Sequence, residues 1–414
     1  MYDAHMSRLL VHNLSIPYAY QPDCLYAFDK NAIYFAEPGD SIMVRTSPPD
    51  AELLAYLTEQ KIVAAPLVFF ISKIPSGPFS VFEDEDCIIE MRSHLNSDSE
   101  IDVFMPTLWE ERLAQKLEIK YPYASAQYES QVHKSLFRKT ARSLGLPIAK
   151  GYEDCATAID ILLAAITLLL HGAQEIIIKQ DDGVAGIGSK RLDVWQILRA
   201  IFTPSLLLPS AAVTPSAGSK YIVEVWQPDV VASPSIQCHI NPEGVISIVS
   251  VHNQIIRANG MSYMGCNSEH WLDADVVQKL EKYAWIYCER LVLSGFSGHL
   301  AFNAVLQADG NLVFTEVNPR RVISSYPFQI LTRLGYERDT MPPYTAIEIE
   351  RSEWKNISPS VLLEKLNSVL YTAERKEGMI PFDLKLLSSG RVMMLIIAPT
   401  RVKVEEYIEY AKLV

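Results

Sequence analysis

Residues 314–321 read FTEVNPRR. An apolar lead-in runs into Glu316, then one apolar residue, then Asn318, then a proline and two arginines. Residues two apart on a strand point to the same face, so the Glu316 carboxylate and the Asn318 amide lie side by side. Both offer oxygen, the donor that a hard cation such as Mg²⁺ takes, and Mg²⁺ shares its remaining positions with water and phosphate. Guanidinium groups beside such a pair suit phosphate or carboxylate oxygens. The stretch therefore reads as a strand end that holds a cation on a polyphosphate, with an arginine facing a transferring group. A surface salt-bridge cluster is the plainer reading, and these eight residues alone do not separate the two.

Working outward, HLAFNAVL, the turn ADGN and LVFTEVN read as a hairpin ending in this cluster. Well upstream, EIIIKQ (175–180) is an apolar strand that carries Lys179 and runs into DDGVAGIGSK. A lysine on such a strand is costly to bury unless an anion meets it. Gly183, Gly186 and Gly188 leave backbone N–H groups open to phosphate oxygens, and Ser189 follows. The glycine order is GxxGxG and no GK[ST] closes it, so the loop is neither a dinucleotide fingerprint nor a Walker A loop. An ordinary hairpin loop is the alternative. Lys134 falls on an amphipathic helix read over 128–148, with Val132, Leu136, Phe137, Ala141 and Leu144 on one face and Gly145 and Pro147 as its stop. A solvated lysine is the bland alternative there. In YIVEVW (221–226), Glu224, Val225 and Trp226 offer an edge and a ring to a flat base, against the simpler reading of a core strand.

The rest of the chain sets bounds. Its 414 residues suggest two or three domains. A net charge of −12 argues against a nucleic-acid partner, which needs a basic face, but not against one bound nucleotide. Cys24, Cys87, Cys155, Cys238, Cys266 and Cys288 form no CxxC pair, so reduced thiols are expected and no zinc site is legible. ILLAAITLLL (161–170), within a helix read over 157–171, is too short to span a bilayer and reads as a buried helix. With no signal-peptide core at the start, a cytoplasmic protein without a membrane partner is expected. LLVH (9–12), a helix capped by Asp50, IMVR (42–45) and PLVFFIS (66–72) suggest a βαβ unit in a parallel sheet. SIQCHI and VISIVSV alternate like paired antiparallel strands, and ADVVQKLEKYAWIYCERLVLSG reads as a long helix. The tail has a helix starting at Ser358-Pro359, a strand GRVMMLIIAP and a last helix RVKVEEYIEYAKL. Residues 203–219 read as a mobile loop. Tyr263 and Gly265 read as a loop after Arg257, an ordinary turn or part of a substrate site.

In this order the pieces resemble the ATP-grasp superfamily: a helix lysine, a strand lysine with a glycine-rich loop, a VE-hydrophobic hinge, and ExNPR after a hairpin. Lys134, Lys179 and Glu224 are evenly spaced, 45 residues apart. The resemblance covers roughly 126–325, and ExNPR is its most specific part. It implies an α/β (α+β) fold with a pre-ATP-grasp domain at 1–125, an ATP-grasp domain at 126–330 whose central lobe is about 126–225, and an accessory α/β segment at 331–414. The subset it looks most like is the peptide ligases of secondary metabolism of the pheganomycin type. By resemblance, Lys134 and Lys179 hold the phosphates of ATP, the 181–189 loop closes over them, and Glu224, Val225 and Trp226 meet the adenine. Glu316 and Asn318 bind Mg²⁺, and Arg320 and Arg257 face the γ-phosphate or acyl phosphate. Arg257 in a plain salt bridge is an equal alternative, and Arg321 reads as structural.

One departure stands out. Where the superfamily has an acidic metal ligand on the preceding strand, this chain has Asn303. The implied activity is ADP-forming ligation of a small-molecule carboxylate to an amine, both amino acids or peptides. A variant with a carrier-protein thiol as acceptor stays open, as does a degenerate nucleotide-binding regulator. A Rossmann-type dehydrogenase is disfavoured by the glycine order. Dimers are common in the superfamily, so a homodimer is one expectation.

Overall fold

The computed structural model describes residues 7–12, 29–45, 47–71, 80–183, 188–207, 220–257, 260 and 262–413. The chain divides into two compact units. One comprises Met1–Ser125, Met264–Trp271 and Arg320–Val414; the other comprises Ala126–Tyr263 and Leu272–Pro319. No helix among the described residues is long and apolar enough to cross a membrane. The five described cysteines are buried and none of them is in a disulfide; Cys24 lies outside the described residues.

In the first unit, Arg8–Val11, Ser41–Val44, Val68–Ile71 and Glu100–Val103 form a parallel sheet, ordered third, second, first, fourth along the chain. The helix Ala51–Glu59 starts where the sequence places it, since Asp50 Oδ1 accepts from the amides of Glu52 and Leu53. Leu9, Val11, Phe70, Ile101 and Val103 of the sheet bury against Ile88, Met91 and Leu113 of two further helices. The tail supplies antiparallel strands Tyr344–Glu350, Gly378–Asp383 and Arg391–Ile397. It also supplies helices Pro359–Leu366 and Arg401–Ala411, packed around the fully buried Trp354. Tyr263–Ser268 is a strand rather than the loop read from the sequence. Gly265 pairs with Ile347, and a Cβ on Gly265 would lie 2.1 Å from the Ala346 carbonyl oxygen, so the close strand pairing requires glycine there.

One cluster of ion pairs in this unit centres on the buried Asp102. Arg321 grips Asp102 with two guanidinium nitrogens, donates to the Val103 carbonyl at 2.7 Å, and lies 4.5 Å over the Phe35 ring. Arg8 reaches Asp102 at 3.3 Å and Asp40 at 2.7 Å. Burial would raise the Asp102 carboxyl, but Arg321 foremost, then His12 and Arg8, holds it well below the usual carboxylate range. Arg321 thus ties its own end of the FTEVNPRR stretch to the parallel sheet.

The second unit holds two antiparallel sheets. The first contains Gly151–Cys155, Tyr221–Val225, Glu175–Gln180 and Ser189–Asp193 in that spatial order, covered by the helix Ala158–Leu170. The second contains Leu312–Asn318, Gly298–Gln307, Pro234–Ile240 and Ile246–Ile256 in that order. Phe302 and Phe314 of this sheet pack with Tyr287 of the helix Ala274–Val292 and Phe137 of the helix Lys134–Ser143. The expected hairpin is therefore present.

Two expectations change. The helix read over 128–148 is two helices, Ser125–Gln131 and Lys134–Ser143, broken at Val132 and His133. ILLAAITLLL buries Ile161, Ala165 and Leu168, but Leu163 is 59% and Leu170 81% exposed, so only one face is core. Of the stretch 203–219, Pro204–Leu207 forms a short 3-10 helix and 208–219 lies outside the described residues.

Asp102→Asn removes the anion between two guanidinium groups and should cost about 3 kcal/mol in urea unfolding at pH 7. The native carboxyl lies below its unfolded value near ~4. Its contribution is therefore complete above that value and declines as the pH falls toward the native one. The wild-type advantage over the variant should stay level from pH 7 to about 5 and shrink in stronger acid. A variant as stable as wild type at pH 7 would show that the pair is not structural.

Candidate active site

The site begins with a cap. Strand Glu175–Gln180 ends at Asp181, which is 6% exposed. Its carbonyl accepts from the Lys134 amide at 3.0 Å, and its carboxylate accepts from the Ser135 amide at 2.6 Å and the Ser135 hydroxyl at 2.9 Å. His133 Nδ1 lies 3.1 Å from the same carboxylate. These bonds satisfy the first amides of the helix Lys134–Ser143 and favour an anion at its positive end. They break the helix read from the sequence, and they place Lys134 at the first helical position beside the strand that carries Lys179.

A cavity of about 430 Å³ lies in this unit, lined from both sheets. Lys134, Lys179, Glu224, Trp226, Asn303 and Glu316 border it, joined by Gly183, Ser189 and Val225. Residues read from positions as far apart as 134 and 316 thus meet in one place. Gly188, Arg257, Asn318 and Arg320 are not in its described lining, and Gly186 lies outside the described residues. Gly188 has φ +73°, and a Cβ there would meet the Gln180 side chain at 2.7 Å, so the loop's return needs glycine. The Arg257 amide donates to the Ser262 carbonyl at 2.8 Å. Arg320 belongs to the first unit, where its guanidinium lies 5.7 Å from the Phe104 ring and donates to the Arg321 carbonyl at 3.0 Å.

Glu224 is 4% exposed and binds two cations, Lys179 from the neighbouring strand and Arg138 from the helix. Arg138, 1% exposed, also meets Glu153 at 2.7 Å and the Ala149 carbonyl at 2.8 Å. Sequence reading missed Arg138, although it lies one helical turn beyond Lys134 and so on the same face. The Glu224 side chain is thus committed to ion pairs. The Val225 and Trp226 amides are committed too, to the Lys150 and Glu175 carbonyls at 2.8 and 3.0 Å. The Trp226 ring carries the Arg191 guanidinium at 4.4 Å, and Gly260 packs so closely that a Cβ would lie 2.9 Å from it.

Lys134 donates to the Gly183 carbonyl, which fastens the start of the glycine-rich loop to the helix. Burial, above all, lowers the Lys134 pKa, with Lys179 adding to the effect while Glu316, Asp181 and Asp182 oppose it. For Glu316, burial acts to raise the carboxyl pKa. Lys134, Lys179 and the amides of Asn303 and Asn318 outweigh it and keep Glu316 below its ordinary value.

The amides around Glu316 fix its chemistry. Glu316 Oε1 accepts from Asn303 Nδ2 at 2.8 Å and from Asn318 Nδ2 at 3.3 Å. Asn303 Oδ1 in turn accepts from the Ser235 hydroxyl at 2.8 Å and from Gln254 Nε2 at 2.7 Å. Asn303 therefore shows Glu316 a nitrogen, and its oxygen is held by two donors on other strands. No cluster of three or more His, Cys, Asp or Glu side chains fit to hold a metal occurs among the described residues. One carboxylate with a neighbouring amide does not make an all-protein cage. It does fit a Mg²⁺ that arrives on a polyphosphate and keeps phosphate and water as its other ligands.

No family model matches the sequence, and no curated protein matches it. Solved structures do resemble the fold. The chain is similar to the beta-gamma-ATP complex of biotin carboxylase from Campylobacter jejuni, with TM-score 0.65, 15% identity, and 98% of this chain and 90% of that one covered. It is similar to the ADP complex of purK, N5-carboxyaminoimidazole ribonucleotide synthetase, with TM-score 0.61, 13% identity, and 98% and 96% covered. It is also similar to the biotin carboxylase domain of Hydrogenobacter thermophilus 2-oxoglutarate carboxylase in complex with MgADP, ADP and bicarbonate, with TM-score 0.61, 11% identity, and 98% and 89% covered. The chain has the ATP-grasp fold over almost its whole length.

Asp181→Ala should destabilise the second unit by about 1–2 kcal/mol, the cost of a lost helix cap. Amide exchange at Ser135 should accelerate with it. Unchanged protection at Ser135 would show that the cap is not what holds Lys134 in place.

Proposed function

We propose that this chain is an ATP-dependent, ADP-forming ligase that joins a carboxylate to an amine. The observation that carries the proposal is the convergence of Lys134, Lys179 and Glu316 on one cavity of an ATP-grasp fold. Similar folds bound to ADP, to an ATP form and to MgADP support it. The finer reading, a peptide or amide ligase of secondary metabolism, rests on the resemblance to the pheganomycin-type subset. So does the division into a pre-ATP-grasp domain, an ATP-grasp domain and an accessory segment.

A carboxylate is a poor acyl donor because its oxygen leaves badly. In the proposed reaction a carboxylate oxygen attacks the γ-phosphorus of ATP, the bond to the β-phosphate oxygen breaks, and ADP departs. An amine then attacks the acyl carbon of the acyl phosphate. The C–N bond forms, the bond from the acyl carbon to the bridging phosphate oxygen breaks, inorganic phosphate leaves with that bond's electron pair, and the amine loses a proton. The protein positions the reactants and neutralises charge. Lys134 and Lys179 sit where phosphate oxygens would enter, and Lys179 would exchange one Glu224 oxygen for phosphate while Arg138 keeps Glu224 neutralised. Glu316 and Asn318 would hold Mg²⁺, which when bound offsets the phosphate charge. Arg257 and Arg320 are proposed for the transferring phosphoryl group, and Glu224, Val225 and Trp226 for the adenine side of the cavity.

A second reading has its own observation. Because Asn303 offers nitrogen where the superfamily has an acid, the chain is also compatible with a nucleotide-binding regulator that does not turn over.

Purified protein with Mg·ATP and amino acids, singly and in pairs, should form ADP and phosphate only when carboxylate and amine are both present. AMP and pyrophosphate instead would sink the acyl-phosphate route. Glu316→Gln should lower that turnover on the order of a hundredfold. Asn303→Asp should spare or raise it, and abolition by Asn303→Asp would contradict the alignment of this strand. ATP binding without turnover in both wild type and Asn303→Asp would favour the regulator.

A further inference from the structure

The helix Ala158–Leu170 carries a second apolar stripe, on the side turned away from its sheet. Ile159, Leu163, Ile166 and Leu170 follow one another at spacings of four, three and four. That is the spacing with which one helix seats against another. Ile159 is 62% exposed, Leu163 59% and Leu170 81%, while Ile166 is half-buried. The short helix Val194–Ala200 and the 3-10 helix Pro204–Leu207 lie against it and share its core through Ile197, Ala200 and Leu207. With the turn between them they extend the outer surface through Trp195, 69% exposed, Phe202, 90% exposed, and Leu206, 55% exposed.

Size and charge together select the occupant. Ile159, Leu163, Leu170, Trp195, Phe202 and Leu206 present apolar surface on the order of 900 Å², against about 800 Å² per partner in a standard stable interface and a few hundred Å² in an ordinary patch on a monomer. The helices Ala158–Leu170 and Val194–Ala200 carry one acid, Asp160, and one base, Arg199. Asp160 is engaged at the start of its own helix, where it accepts from the Ala156 and Thr157 amides. A nucleic acid or an anionic membrane needs a basic face, and a basic partner needs an acidic one. A second copy of this chain, with its net charge of −12, meets almost no like charge here. The stripe is also complementary to itself. A two-fold axis through its midpoint, relating two antiparallel helices, sets Ile159 against Leu170 and Leu163 against Ile166, each pair occurring twice.

We propose that this face is the interface of a homodimer, in which the helices Ala158–Leu170 of two copies pack antiparallel and Trp195 and Phe202 are the large anchors beside them. The nucleotide cavity stays open in this arrangement. On the strand Glu175–Gln180, Ile176 and Ile178 point into the core beneath the helices, whereas Ile177 and Lys179 line the cavity on the opposite face of the sheet. The proposal is independent of the ligase reading, because association can be measured without nucleotide or turnover.

The test is sedimentation equilibrium of the full chain, without nucleotide, from low to high micromolar concentration. Wild type should be a dimer. Leu163→Glu, which sets a carboxylate from each copy beside the axis, should weaken the dimer at least about a hundredfold. Phe202→Glu should also weaken it, and serves if Leu163→Glu does not fold. Leu293→Glu, at an 82% exposed position just past the helix Ala274–Val292, should leave the dimer unchanged. Ile159→Glu and Leu170→Lys should each weaken association alone, and the two variants mixed in equal amounts should recover it at least about tenfold, because the antiparallel pairing sets the new acid against the new base. A wild type that stays monomeric at high micromolar concentration would overturn the proposal. So would a folded Leu163→Glu or Phe202→Glu variant that associates like wild type, a Leu293→Glu variant that dissociates, or a mixture that does not recover. Failure of the nucleotide cavity to bind ATP would not touch it.

Discussion

The second unit depends on one buried anion. Glu224 sits in the middle of a four-stranded sheet and draws Arg138 from the helix and Lys179 from the next strand to its two oxygens. Without it Lys179 would lose its carboxylate and Arg138 one of its two, at a cost of several kcal/mol. With it, a helix that packs on one sheet is tied to a strand of the other, and two lysines are held within one cavity. The Asp181 cap completes the arrangement by fixing where the helix starts. Lysines from two elements that border one cavity are what a polyphosphate needs.

The sequence showed those features whose signals are local. The hairpin ending in FTEVNPRR, the strand with Lys179, the Asp50 cap and the Ser358-Pro359 helix start all announce themselves through alternation, turns and caps within a few residues. The side-by-side placement of Glu316 and Asn318 follows from strand geometry alone. What the sequence hid was set at a distance. The break at Val132 and His133 is made by Asp181, 48 residues downstream, so amphipathicity carried the reading straight through it. Arg138 reads as one more surface arginine until Glu224 appears beside it. Only one face of ILLAAITLLL is buried, because the helix covers one side of a single sheet. Gly265 reads as a turn residue until the strand beside it shows why no side chain fits.

Asn303 is where local reading and structure bear on each other most. The ATP-grasp resemblance leads one to expect an acid at its position. Its surroundings say what replaced it. Ser235 and Gln254, from two other strands, hold the amide oxygen, so the nitrogen faces Glu316. The pair is a neutral amide donating to a carboxylate that two lysines keep ionised. Less negative charge faces a divalent cation here than two carboxylates would provide, so the phosphates of the nucleotide would supply more of the cation's coordination.

The account stands or falls on whether the cavity around Lys179 takes the phosphates of ATP. Calorimetric titration of Mg·ATP into wild type and Lys179→Met tests this directly, with circular dichroism to show that both are folded. Saturable binding to wild type, weakened at least about tenfold when the ammonium is removed, is the predicted result. A folded wild type that does not bind Mg·ATP, or a variant that binds it equally well, would contradict the account.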